Sequence, residues 1–174
     1  MTFTPDPIAS SETAPYFEDV SKASGWAGFS TTKSIDTLLT EVTAALSRIG
    51  AMLTDIQSGV FIDDKNRKRH GYVIRYIYKL PSGQGMEGKI ETMGLPMKSP
   101  SPAKEKAVRQ MVLFLLRDTL KGFFYQQQTS PGYFGLMTWM LAKEGDVTIG
   151  QKFVTQLELP VPKEEIHEGQ FKEV

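Results

Sequence analysis

SPAKEKAVRQMVLFLLRDTLKGFFYQ, residues 101–126, decides the fold. Ser101 offers a side-chain oxygen to the free amides of a first helical turn, and Pro102 suits the first helical position, where a backbone N–H has no partner to lose. From Pro102 to Gln126 such a helix would span about 37 Å. Its middle, Met111 to Leu116, is apolar on every side, so it needs cover on more than one face and becomes the spine of the core.

Working outward, the segment before this helix reads as sheet. Pro96 to Pro102 is a Pro/Ser loop, and Met86 to Leu95 alternates as a strand with Glu87, Lys89 and Glu91 on the wet face. Pro81 to Gly85 is a turn by composition. Tyr72, Ile74, Tyr76, Tyr78 and Leu80 alternate with Val73, Arg75, Ile77 and Lys79, giving a second strand whose tyrosines face the helices instead of stacking bases. Asp63 to Gly71 is a polar connection. Met52 to Ile62 reads as the first strand of the three, with Met52, Ile56, Val60 and Ile62 on one face. Ile35, Leu38, Leu39, Val42, Leu46 and Ile49 recur at helical spacing behind the cap Ser34, and Gly50 supplies the stop.

Downstream, Ser130-Pro131 repeats the cap-and-proline signal ahead of a short apolar helix, Gly132 to Ala142. Val147 to Leu159 fits both a helix and a strand. The capping box Thr148-Ile149-Gly150-Gln151 adds a helix start that the strand reading lacks. The expectation is an α+β domain over 34–159, an α-β-β-β-α core with a three-stranded antiparallel sheet, a long central helix and further C-terminal helices. Residues 1–33, polar and proline-bearing, are expected to be a mobile N-terminal arm, and 160–174 an acidic tail. Within the arm, Trp26 and Phe29 are either a partner-docking motif or aromatics tucked onto the domain's own core.

The 174 residues are 40% hydrophobic and 23% charged, a globular composition. No cysteine is present, which excludes disulfides, thiolate metal sites and cysteine nucleophiles and fits a reducing cytoplasm. No run of apolar residues is long enough to span a bilayer, and the start lacks a signal-peptide pattern, so a cytoplasmic protein without membrane association is expected.

Formal net charge is zero, yet charge is segregated along the chain. Lys65 to Lys121 holds thirteen basic and four acidic residues, +9, and the flanks together carry −9. A basic centre with acidic arms suits a polyanion binder whose arms compete for the same surface, or else separate solvated faces.

Catalytic signals are missing. The two histidines, His70 and His167, form no metal-ligand spacing, and no nucleophile elbow, Walker loop or dinucleotide fingerprint occurs. Asp63-Asp64 is either a divalent-ion ligand pair or a turn former. The expectation is a non-enzyme without cofactor or metal.

The basic residues carry the functional reading. Lys106, Arg109, Arg117 and Lys121 share one sector of the long helix with Gln110 and Leu113. Lys65, Arg67, Lys68 and Arg69, in the connecting loop with His70, lie at one end of the sheet with Arg75 and Lys79 beyond on its open face, and Lys104 stands near the start of the long helix. Two such surfaces could track a phosphate backbone; the competing reading is a solvated helix face plus a loop that blunts a strand edge.

Helix, three strands and helix over 34–126 resembles the double-stranded-RNA-binding domain, and that resemblance implies contacts from Arg67, Lys68, Arg69 and His70 and from Lys98, Lys104 and Lys106. The stretch 34–159 also resembles a group of small bacterial and prophage-encoded proteins of unassigned activity. It does so through Ile49-Gly50-Ala51, Leu95-Pro96, Pro131-Gly132 and Thr148-Ile149-Gly150. This second resemblance implies a phage or mobile-element setting. The leading expectation is therefore a non-catalytic DNA- or RNA-binding protein of phage replication, recombination or defence. The alternative is an adaptor or inhibitor that docks a protein partner through Trp26 and Phe29.

Overall fold

The structure is a computed structural model and describes residues 14–21, 23, 25–79, 83–130, 135, 136, 139–141, 146–150 and 152. Among the described residues it is an α+β fold with two long helices and one three-stranded antiparallel sheet of order β1-β2-β3. Helix α1 is Ile35–Arg48, β1 is Ala51–Ile62, β2 is Lys68–Lys79, β3 is Gly85–Met93 and α2 is Pro102–Thr129. Among the described residues no helix is long and apolar enough to cross a membrane.

The helix starts follow the expected chemistry. Ser34 Oγ accepts from the Thr37 amide at the head of α1, and Ser101 Oγ accepts from the Lys104 amide at the head of α2. Gly50 ends α1 at φ 87°, a left-handed conformation that glycine adopts without strain, and its N–H donates to Ser47 O. Helix α2 runs three residues beyond the expected Gln126 and, at 28 residues, is about 42 Å long.

Both helices lie on one side of the sheet. Leu38, Val42 and Leu46 of α1 meet Val112, Leu113, Leu116 and Leu120 of α2 over Tyr72, Ile74, Tyr76 and Ile90. The tyrosines of β2 do face the helices: Tyr72 and Tyr76 are buried, and the Tyr76 hydroxyl donates to Leu136 O at 3.3 Å.

A second apolar cluster lies across α2 from the first. Val20, Leu95 and Met111 form its buried centre, with Phe17, Trp26, Phe29 and Leu115 packed around them. The apolar middle of α2 is thus covered on two sides, and the second cover comes from the described part of residues 14–29. This differs from the expected arm over 1–33. Phe17 to Asp19 forms a single 3-10 turn, and the Phe17 N–H donates to Pro96 O at 2.8 Å. Residues 1–13 lie outside the described residues.

Three further expectations change. Alternation puts Met52 on the face of Ile56, but the ladder slips between Leu53 and Asp55, so Met52 pairs with Ile77 on the side away from the helices. Val60 and Ile62 do share the helix side with Ile56, yet they are 50% and 58% exposed, Val60 bordering the open cleft at the head of α2. In the region expected to be helix 132–142, Met140 bridges Gly88 and Leu141 bridges Thr148, while Gly135 and Leu136 form a turn. Helix does begin at Ile149, with Lys152 N–H donating to Thr148 O. Residues 153–159 and the acidic tail 160–174 lie outside the described residues.

Candidate anion-binding cleft

The connection between β1 and β2 is tighter than its composition suggests. Asp63 closes it alone, its carboxylate accepting from the backbone amides of Lys65 and Arg67 and from Arg67 Nε at 2.8 Å. Asn66 takes the left-handed conformation at φ 57°, and strand pairing resumes at Lys68. Burial alone would raise the Asp63 carboxyl, but the bonds from Arg67 outweigh it and hold the group below its ordinary value.

This turn corrects the expected basic loop. Lys68, Arg69 and His70 belong to β2, so alternation sends them to opposite faces. Arg69 points away from the helices and donates from Nε to Gly94 O at 2.7 Å. His70 points toward α2 and is buried, with Nδ1 3.4 Å from Arg109 Nη2 and Nε2 3.9 Å from Glu105 Oε1. Arg67 is half-buried: its guanidinium also donates to Ala14 O and lies 5.3 Å from the centre of the Tyr16 ring.

These residues border a cleft of about 720 Å³ between the end of the sheet and the head of α2, lined by Tyr16, Arg67, Lys68, His70, Lys98 and Glu105 among others. Lys98 lies over the Tyr16 ring at 5.5 Å and pairs with Asp19. Lys104 pairs with Glu18 at 2.8 Å, and Glu18 also accepts from the backbone amides of Lys98 and Ser99. These bonds, with Lys104 first, hold the Glu18 carboxyl far below the usual carboxylate range.

The remaining basic candidates are elsewhere. Arg75 pairs with Asp146 on the opposite face of the sheet, beside the buried Lys89, whose ammonium meets both the carboxylate and the carbonyl of Asp146. Lys79 is exposed at the far end of β2. The stripe on α2 is interrupted because α1 packs over that sector. Arg117 is buried against Glu41 at 2.6 Å and Asp118 at 2.7 Å, with its guanidinium 4.0 Å from the Phe114 ring centre. Gln110 donates to Lys33 O, and Leu113 is wholly buried. Of that stripe Lys106 and Lys121 remain exposed.

The structure therefore brings Arg67, Lys68, His70 and Arg109 to one end, with Lys104 and the exposed Lys106 on the adjoining first turns of α2. It leaves Arg69, Arg75, Lys79, Arg117 and Lys121 outside that group. Trp26 and Phe29 are half-buried in the second cluster. Tyr16, Glu18 and Asp19 were missed; the signal for them was the acidic pair following two aromatics, Tyr16 to Asp19, in an otherwise polar stretch. Among the described residues no group of three or more His, Asp or Glu is arranged to hold a metal ion. No protein-family model, curated protein or solved structure matches the chain.

Proposed function

We propose that this chain is a non-catalytic binder of a phosphate-bearing polyanion, DNA or RNA, which it holds at the cleft end of the sheet. The observation that carries the reading is the convergence of Arg67, Lys68, His70 and Lys98 from two separate segments on one cleft, with Arg109 of α2 against His70. Lys68 is exposed in its lining, and Lys65 in the β1–β2 turn and Lys106 in the first turns of α2 are exposed as well. A setting in phage or mobile-element replication, recombination or defence belongs to the same proposal. The adaptor reading has less support, since Trp26 and Phe29 pack inward and would have to leave Met111 and Leu95 to dock on a partner.

A mobility-shift assay with single- and double-stranded DNA and RNA at two salt concentrations tests the proposal. Binding should weaken steeply with salt, and Lys68→Ala with Lys106→Ala should lower the salt slope by about one for each phosphate contact removed. Absence of any shift at low salt, or binding that ignores salt, would refute it.

A further inference from the structure

We propose that β1 pairs antiparallel with β1 of a second copy of this chain, about a two-fold axis through Ser58, making one continuous six-stranded sheet.

The first ground is the edge itself. β1 is the outer strand of the sheet, twelve residues long, and no described residue pairs with its free side. Such edges are normally blunted by lysine, proline or an inward charge. Ala51 to Ile62 contains no Lys, Arg or Pro, and its single ionisable residue is Asp55. The slip at Leu53 and Asp55 disturbs only the first part of the strand, leaving 56–62 in regular register with β2.

The second ground identifies the occupant. On the helix side of β1, an open groove of about 550 Å³ runs between the strand and α1, with Leu39, Thr43, Leu53 and Ile56 in its lining. On the same side of the same strand, Val60 and Ile62 project half-exposed, Val60 at the border of the open cleft. Ridge and groove lie on either side of Ser58. A two-fold axis there sets Ile56 opposite Val60 of the other copy and carries its Ile62 to the mouth of the groove beside Leu53. Each copy thus fills the other's groove, the self-complementarity that a two-fold interface requires.

Charge permits the pairing. In this register Asp55 meets Phe61 of the other copy, so no like charges face each other across the edge, and a net charge of zero gives no long-range repulsion. Of β1 only Val60 also borders the cleft of the nucleic-acid reading, so Ile62→Lys, outside that lining, separates a failure of the pairing from a failure of that reading.

Light scattering and sedimentation of the full chain, from low to high micromolar concentration, should show a monomer–dimer equilibrium. Val60→Lys and Ile62→Lys each alter an exposed side chain, so the melting temperature of the monomer should hold while the dimer dissociation constant rises about 30-fold or more. Residues directly opposite in an antiparallel pair have Cα atoms about 4.5–5.5 Å apart, within disulfide reach. Since the chain has no cysteine, Ser58→Cys should yield a covalent dimer under mild oxidation and Ser130→Cys should not. A chain that stays monomeric throughout, or a dimer indifferent to Ile62→Lys, overturns the proposal. So does cross-linking that is no faster for Ser58→Cys than for Ser130→Cys.

Discussion

Gly88 lies opposite Tyr76 in the β2–β3 ladder, on the side that faces the helices. A Cβ at position 88 would lie 2.1 Å from Tyr76 Cζ and 2.4 Å from its hydroxyl oxygen, where ordinary contact starts at 3.4 Å. The difference, 3.4 minus 2.1, requires the ring to retreat by 1.3 Å. It has no room to do so: Tyr76 is 1% exposed and its hydroxyl is bonded to Leu136 O. Gly88→Ala should therefore cost about 2–4 kcal/mol, combining overpacking with the loss of one buried hydrogen bond. For a chain of this length that corresponds to a fall in Tm of about 5–15 °C, readable by circular dichroism in thermal and urea melts. In a Tyr76→Val background the added methyl enters vacated space, so the same substitution should cost less than about 1 kcal/mol, a coupling that a double-mutant cycle isolates. A cost below about 1 kcal/mol for Gly88→Ala alone, or the same cost in both backgrounds, would refute the β2–β3 register.

The two clusters around α2 should differ in weight. Leu113→Ala, in the closed main core, should cost about 2–5 kcal/mol, and Leu115→Ala, half-buried in the smaller cluster, about half as much in urea melts; equal losses would contradict the two-sided packing. Stability should also fall in acid. Arg75 first and then Lys89 depress the Asp146 carboxyl, as Lys33 first and then Arg117 depress that of Glu41. A carboxyl lowered in the folded state contributes stability above its unfolded pKa of about 4 and loses it as pH falls through the folded value. Asp146→Asn should therefore melt below the parent at neutral pH, the gap narrowing as pH falls below the unfolded carboxylate value of about 4; a constant gap would show that Asp146 acts by packing and not by charge.

The local elements were legible where one signal dominates. Ser34, Gly50, Ser101 and Pro102 mark helix boundaries through backbone chemistry that needs no tertiary context, and the structure uses each as expected. Alternation along Tyr72 to Tyr78 gave the buried face of β2 for the same reason. Reading failed where distant residues decide. Periodicity put Met52 with Ile56, because a strand pattern does not reveal a slip in its partner ladder. Lys68, Arg69 and His70 read as loop because they are polar, whereas Asp63 closes the turn with its own side chain and frees them to pair. The site shares this limit: the type of group was visible, but which faces received them was not.

The all-apolar middle of α2 held information that the reading of residues 1–33 did not use. A helix that is apolar all round must be covered on a second side, and a chain with one sheet and one other helix on the first side has few segments left to supply that cover. Among the described residues preceding α1 the large aromatics are Tyr16, Phe17, Trp26 and Phe29, and three of these join Leu95, Met111 and Leu115. Charge obeys the same logic. The acids that balance the basic middle come largely from outside it: Glu18 and Asp19 meet Lys104 and Lys98, Glu41 meets Arg117, Asp63 meets Arg67, and Asp146 meets Arg75 and Lys89. Segregation along the sequence thus becomes complementarity in space, and a count of lysines and arginines overstates what a polyanion would meet. At the cleft end Asp63, Glu18 and Asp19 already pair with Arg67, Lys104 and Lys98. Lys68 and Lys106 stay exposed beside them, so a phosphate backbone could add to the existing bonds without first breaking the fold's own ion pairs.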